Sequence, residues 1–229
     1  AGDDTLTGSS GADAISGGAG ADVIKGGVGA DELTGGAGAD TFEFDEGDST
    51  SAKTTTITDF TADSDKLTIN LVAGGDVNAV DGGDATSIAN GLTLLSSKEG
   101  EYFFNTADNQ LVMDLDGNGL IQATDMIINM TGETGIDSSD VDMNVDATGG
   151  DYAVTTGAGD DTVTIDDSHN NSTKTIALGD GTDTLSLVAS NAADLTGATL
   201  SGIEKLTLGN GAGFTFTDSQ INAFNGITD

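Results

Sequence analysis

Asp4, Asp13, Asp22, Asp31 and Asp40 stand nine residues apart. Two positions after each is an apolar residue: Leu6, Ile15, Ile24, Leu33 and Phe42. Two positions before each is a glycine: Gly2, Gly11, Gly20, Gly29 and Gly38. A flexible Gly/Asp linker would not keep three features in phase over five repeats. Carboxylates in such an array, beside turns rich in carbonyls, suit a hard cation bound through oxygen. Ca2+ takes about six to eight oxygens at about 2.3–2.6 Å and tolerates irregular geometry, whereas Mg2+ wants a stricter octahedron. The expected cofactor is therefore Ca2+, in several copies.

The elements that place these carboxylates follow from the period. A short strand such as Val23-Ile24-Lys25 turns its middle side chain inward, and a Gly-rich hexapeptide then reverses the chain. Two units of nine complete a flattened coil. Parallel strands stack about 4.8 Å apart, so Asp4, Asp22 and Asp40 line one edge and Asp13 and Asp31 the other. Two carboxylates about 5 Å apart repel by roughly 3 kcal/mol at an effective dielectric of about 20. A bound divalent cation reverses that sign.

Residues 1–44 resemble the RTX nonapeptide repeat of bacterial type I secreted proteins, which implies a Ca2+-bound parallel β-roll. Gly8-Ser9-Ser10 departs from the usual Gly-Gly-x, so the second turn is expected to be looser. The stretch TTTITDFTADSDKLTINL, residues 54–71, is similar to the strand pair that caps such rolls, with Asp59 as a candidate ligand and Thr where a first Asp often stands. Phe42, Phe44 and Phe60 are expected to close the end of the roll.

The composition sets further bounds. The chain has 229 residues, 39 of them acidic against 6 Lys and no Arg, for a net charge of −33. Self-repulsion of that size opposes a compact state unless cations offset it. With 36% hydrophobic residues in pattern and no Pro, the chain is expected to fold rather than stay disordered. Nucleic acid is a poor partner, because phosphate binding needs clustered Lys or Arg. No apolar run approaches a membrane span, so membrane insertion is not expected. Cysteine is absent, which leaves neither disulfides nor thiolate sites. Ala1 already lies within a repeat, so the chain is expected to be a fragment of something longer.

Residues 72–100 read as a loop with a short helix around 84–90. Strands are expected at 101–104, 110–115 and 126–130. Between the last two lies DLDGNGLIQATD, with Asp114, Asp116 and Asn118 at loop positions 1, 3 and 5, Gly119 at 6, the Leu120 carbonyl at 7 and Asp125 at 12. This is EF-hand loop spacing with Asp in place of the final Glu. It resembles the EF-like calcium loops of secreted proteins, and a plain hairpin turn is the other reading.

TGAGDDTVTI and LGDGTDTLSL bring back Gly-x-Gly-x-Asp-x-(apolar), through Gly159, Asp161 and Val163 and then Gly181, Asp183 and Leu185. Their spacing of 22 exceeds 18. Strands are expected at 152–155, 162–165, 175–178, 184–188, 205–208 and 213–217, as a second, degenerate calcium-binding solenoid or an antiparallel sandwich. This segment resembles the repeat-rich C-terminal regions of bacterial surface-layer proteins and large RTX adhesins. His169 is expected in an exposed turn. No second histidine and no Gly-x-Ser-x-Gly elbow accompany it, so catalysis is not expected.

The expected fold is all-β: an RTX parallel β-roll over 1–48, a capping β module with the EF-like loop over 49–148, and a second β-solenoid over 149–229. The expected role is an extracellular, cell-surface calcium module of a bacterial surface-layer protein that pairs with copies of itself, with cell-surface polysaccharide as a candidate partner. A segment of an RTX adhesin and the secretion domain of an exported enzyme remain alternatives.

Overall fold

The computed structural model describes residues 2–92, 94–95, 99–169, 172–188, 192–209, 213–221, 224 and 226–227. The short strands Thr5–Thr7, Val23–Lys25 and Thr41–Asp45 stack in parallel, as do Ala14–Ala19, Glu32–Ala37 and Thr55–Ile57 on the opposite side. Leu6 pairs with Ile24, Ile24 with Phe42 and Phe42 with Leu67, so one apolar residue per strand points inward and forms a core column. Ile24, Leu33, Phe42, Ile57 and Leu67 are fully buried. Burial of this kind contributes about 1.5–3 kcal/mol per large aliphatic side chain, and it explains why the nine-residue period carries an apolar residue in phase with each Asp.

The roll does not end near residue 48. Thr41–Asp45 pairs with the longer strand Lys66–Val72, and that strand pairs on its other side with Val141–Asp146. Phe42, Phe44 and Phe60 are therefore core residues inside a continuing solenoid rather than its closure. One parallel sheet runs from Thr5–Thr7 through Thr162–Ile165, Thr184–Leu187 and Lys205–Leu208 to Gly226–Ile227, nine strands among the described residues. It crosses both of the boundaries expected at 48/49 and 148/149.

Residues 73–140 leave this sheet and return to it. Within them, Met126–Met130 pairs in parallel with Thr55–Ile57 and antiparallel with Gln110–Asp114, which pairs antiparallel with Glu101–Asn105. All of Glu101–Asn105 is buried. Tyr102 and Phe104 face the main core, while Phe103 faces a smaller core with Ala85, Val112 and Ile127. Residues 72–100 are not the loop that their polarity suggests. They hold the strands Val77–Ala79 and Asp81–Ala85 and the one-turn helix Ile88–Gly91, because the solenoid's sheets supply partners for the polar backbone. Gly91 lies on the Phe103 ring, where a Cβ would approach to 2.1 Å.

Beyond Val141 every strand pairing among the described residues is parallel, which excludes the antiparallel sandwich. The coils here are three-sided. Val77–Ala79, Val154–Thr156, Thr175–Ala177 and Thr199–Ser201 form a third sheet, and Ala192–Asp194 pairs with Gly213–Thr215 as a fourth. The third side accounts for the extra residues per coil. It also buries His169, which was expected to be exposed: the turn Asp167–His169 packs under Ala192–Asp194, and His169 is 0% exposed.

Candidate metal centre

Each Asp of the repeat sits where a turn feeds its strand, and the next coil supplies a matching one. The Asp4 amide donates to Asp22 Oδ1 at 2.8 Å, the Asp22 amide to Asp40 Oδ1 at 2.9 Å and the Asp40 amide to Asp65 Oδ1 at 2.9 Å. On the other edge the Asp13 amide donates to Asp31 Oδ1 at 2.9 Å, and the Asp31 amide to Thr55 Oγ1 at 3.4 Å. The expected grouping of Asp4, Asp22 and Asp40 on one edge and Asp13 and Asp31 on the other is what the structure shows. One carboxylate oxygen per rung is thus satisfied by backbone.

The second oxygen is not. Asp22 Oδ2, Asp31 Oδ2 and Asp40 Oδ2 are buried without a hydrogen-bond partner. Leaving a buried acceptor unpaired costs about 1–3 kcal/mol, and more for a charged one. Such oxygens, two on one edge and one on the other, each beside a Gly-rich turn, fit an oxygen-seeking cation. Asp13 marks the contrast. Its Oδ2 accepts from the Ser9 amide and hydroxyl at 2.7 and 3.0 Å, and the site is exposed. The Ser in the irregular second turn therefore supplies polar partners that the regular turns lack.

Glycine is required where the turns stack. A Cβ on Gly20 would lie 2.3 Å from the Gly2 carbonyl oxygen, one on Gly29 would lie 2.2 Å from that of Gly11, and one on Gly38 would lie 1.8 Å from that of Gly20. These carbonyls line the same turns as the unpaired carboxylate oxygens. The family model for the RTX calcium-binding nonapeptide repeat matches residues 1–24 and 16–50, with four copies. Residues 1–50 are RTX calcium-binding nonapeptide repeats. Comparison with curated proteins finds no match for the chain. The RTX repeats imply Ca2+ as the cation, and the unpaired oxygens of Asp22, Asp31 and Asp40 are suited to hold it.

The RTX ladder runs one rung further than the nonapeptides, to Asp65. Its Oδ2 accepts from the Thr61 amide at 2.9 Å, and burial raises its pKa above the usual carboxylate value. The sequence reading passed over Asp65, although it precedes Leu67 by the same two positions that set each Asp before its apolar partner. Thr55 likewise precedes Ile57 by two and ends the other column with a hydroxyl. Asp59 lies apart from both columns: its two oxygens accept from the Gly35 and Gly36 amides at 2.9 and 2.8 Å.

In the C-terminal solenoid the same geometry returns, among the described residues, on one edge. The Met143 amide donates to Asp161 Oδ1 at 2.6 Å, the Asp161 amide to Asp183 Oδ1 at 2.9 Å and the Asp183 amide to Glu204 Oε2 at 3.0 Å. Asp161 Oδ2 and Asp183 Oδ2 are again buried and unpaired. Gly181 stacks on Gly159 as Gly20 stacks on Gly2, with a Cβ 2.1 Å from its carbonyl oxygen. Burial pushes the Asp161 carboxyl up to about 7, against the lowering effect of the Thr156 hydroxyl and the Met143 amide. Burial pushes Asp183 up to about 6, with the Asp161 amide opposing and Glu204 and Asp160 adding repulsion. Glu204, two positions before Leu206, is a further rung that the Asp-based pattern missed.

Asp114, Asp116 and Asp125 come together in the 114–125 loop, with carboxylate oxygens within 4.8 Å of one another. Asp114 accepts from the Gly117 and Gly119 amides at 2.8 and 2.7 Å, and Asp125 from the Leu115 and Gln122 amides at 3.1 and 2.5 Å. Gly119 adopts φ +74°, the left-handed region that position 6 requires. Asn118 turns its amide to Asp116 Oδ2 at 2.6 Å, and its own carbonyl oxygen accepts from the Leu120 amide at 2.8 Å. Burial raises the pKa of both Asp114 and Asp125. The flanks are the antiparallel strands Gln110–Asp114 and Met126–Met130, not paired helices.

Proposed function

We propose that this chain is a Ca2+-dependent extracellular structural module of a bacterial surface-layer protein, which folds and assembles on Ca2+ after secretion. The buried, unpaired oxygens of Asp22, Asp31 and Asp40 in the RTX repeats carry the calcium part of this reading. Without cations, 39 acidic residues repel one another and the coil turns hold uncompensated carboxylates. With Ca2+ present, each site at a hundredfold excess over Kd stabilises the fold by about 2.7 kcal/mol. Three such sites contribute about 8 kcal/mol, on the scale of a whole domain's stability. Low cytosolic Ca2+ then keeps the chain unfolded for export, and external Ca2+ folds it.

A structural role is supported by the continuity of the long sheet, which joins two differently built coil arrays into one body. Among the described residues no helix is long and apolar enough to cross a membrane. The 114–125 loop is proposed as an additional Ca2+ site through Asp114, Asp116 and Asp125, with Asn118 and the Leu120 carbonyl as further ligands. The partner surfaces are copies of the same chain, with cell-surface polysaccharide as the anchoring ligand.

Calcium titration of the purified chain, followed by circular dichroism and electron microscopy, tests this. Regular two-dimensional arrays appearing with Ca2+ support the surface-layer reading. Folding into dispersed monomers would contradict assembly and point to an adhesin segment or a secretion domain. A fold indifferent to chelation would remove the mechanism.

A further inference from the structure

Three buried oxygens of the C-terminal solenoid have no hydrogen-bond partner: Thr156 Oγ1, Asp161 Oδ2 and Asp183 Oδ2. Their residues are 3%, 1% and 0% exposed. All three lie outside residues 1–50, which the RTX family model covers. Thr156 stands five positions before Asp161. In the N-terminal roll that place is glycine: Gly17 before Asp22, Gly26 before Asp31 and Gly35 before Asp40. A Cβ at those glycines would fall 2.3, 2.4 and 2.4 Å from the carboxylate Oδ2, so no side chain fits there.

At Asp161 the turn admits a side chain, and it is a hydroxyl. No hydrogen bond of standard geometry joins Thr156 to Asp161, and the Asp161 amide, donating to Asp183 Oδ1 at 2.9 Å, brings the next coil's carboxylate alongside. A hydroxyl oxygen and carboxylate oxygens, all buried, form the donor set of a hard divalent cation. Five positions before Asp183 stands Leu178, buried and apolar, so the next rung brings no such hydroxyl.

We propose that Thr156 Oγ1 and Asp161 Oδ2, with Asp183 Oδ2 from the next coil, form a divalent-cation site distinct in make-up from the glycine-lined RTX sites. It takes Ca2+ through a side-chain hydroxyl as well as carboxylates. This rests on Ca2+ being the cation of the RTX columns. The hydroxyl also gives the site a residue that can be changed without removing charge, which the RTX turns do not offer.

The chain's own tyrosines supply the readout. It has two, Tyr102 and Tyr152, and no Trp, and neither tyrosine lies in the RTX repeats. Tyr102 is buried beside this turn: its Oη would be 3.7 Å from a Cβ on Gly157. Terbium emission excited through tyrosine therefore reports this region rather than the RTX turns, and the 114–125 loop, which begins at the end of the strand paired with Tyr102, is silenced in every sample by Asp116→Ala with Asn118→Ala. The full chain is titrated with Tb3+, and Ca2+ is used to compete it off. Tyr102→Phe is expected to remove most of the sensitised emission, and Asp161→Asn to abolish it. Thr156→Val is expected to weaken the midpoint about tenfold, the scale of one lost polar contact. Thr156→Ser is expected to keep the wild-type midpoint, and Asp22→Asn to leave the emission in place. Wild-type binding by Thr156→Val, or emission that survives Asp161→Asn, would overturn the proposal. Where Thr156→Val fails to fold, the Ser and Asn variants decide. Circular dichroism of the same samples separates the two readings. A wild type whose fold ignores Ca2+ sinks the RTX calcium reading. A calcium-responsive fold with no effect of Thr156→Val sinks this proposal alone.

Discussion

The N-terminal roll and the C-terminal solenoid share one sheet and one ladder, but they use them differently. In the roll each coil has two sides and a carboxylate column at both edges. In the C-terminal part each coil has, among the described residues, three sides and one column. The two columns are also out of line. Leu67 pairs with Val141 and Asn144 with Thr162, so Asp65 stands level with residue 139 and Asp161 level with Met143. That offset of four residues is about 13 Å along a strand. The second column is therefore not a continuation of the first. It is the same amide-to-carboxylate ladder built again further along the sheet. What the two share is the stacked Gly-x-Gly turn with one satisfied and one unsatisfied carboxylate oxygen. The difference shows that coil length does not fix a rung, and Asp65, reached without a Gly-x-Gly turn, shows that the amide-to-carboxylate bond extends beyond that turn.

The strongest way to break that equivalence is to put a methyl group into each stacked turn. Gly38→Ala and Gly181→Ala would place a Cβ 1.8 and 2.1 Å from the carbonyl oxygen below, at φ +145° and +148°. Each is expected to destabilise by about 4 kcal/mol or more, in the range reserved for severe lesions. Equal losses in calcium-loaded thermal melts support a shared turn, and a tolerated Gly181→Ala would separate the two columns.

A somewhat smaller effect comes from pH in the absence of metal. The pKa values of Asp161 and Asp183 are raised to about 7 and about 6 in the fold, against an unfolded value of 3.8. The folded state then binds more protons than the unfolded one, so the stability these groups provide is present below pH 4 and is lost as pH rises to 7. For Asp161 the span is on the order of 4 kcal/mol. Chelated protein is expected to gain protection over 141–208 as pH falls from 7.5 to 5, read by amide exchange. His169 acts in the opposite sense and more weakly. Burial lowers its pKa, against Asp151, Asp166 and the Tyr152 backbone, so its share of stability is lost as pH falls below 6.5. His169→Gln is expected to steepen the gain on acidification.

The smallest of these effects distinguishes rungs within the roll. Asp22→Asn removes one unpaired oxygen's charge and is expected to cost about 2.7 kcal/mol at a hundredfold calcium excess, the value of one site. Asp13→Asn is expected to cost less, because Ser9 already satisfies its Oδ2. Calcium-dependent unfolding of the two variants checks the order.

The sequence made the roll legible because nine residues is a mechanical half-coil, so Asp, Gly and the apolar residue had to recur in phase. It also showed the C-terminal column, since Gly159 and Gly181 keep the stacked turn even at a spacing of 22. Asp65 and Glu204 escaped notice because the coil length changes just before each, although the two-before-apolar signal was there. The burial of His169 and the strands within 72–100 escaped for a different reason. Both depend on partners far along the chain: His169 on Ala192–Asp194, and Val77–Ala79 on Val154–Thr156. Nothing local in a Gly/Asp/Ser-rich stretch encodes such a partner. The acidic loop at 114–125 was legible because its carboxylates are close together in the sequence.

The central claim is that calcium holds the unpaired carboxylate oxygens of both columns. Its most direct test is amide exchange, with and without a calcium chelator at pH 7.5, followed separately over residues 2–65 and 141–208. The account predicts strong protection in both segments with calcium and loss in both on chelation. Protection that survives chelation in residues 2–65 would contradict it.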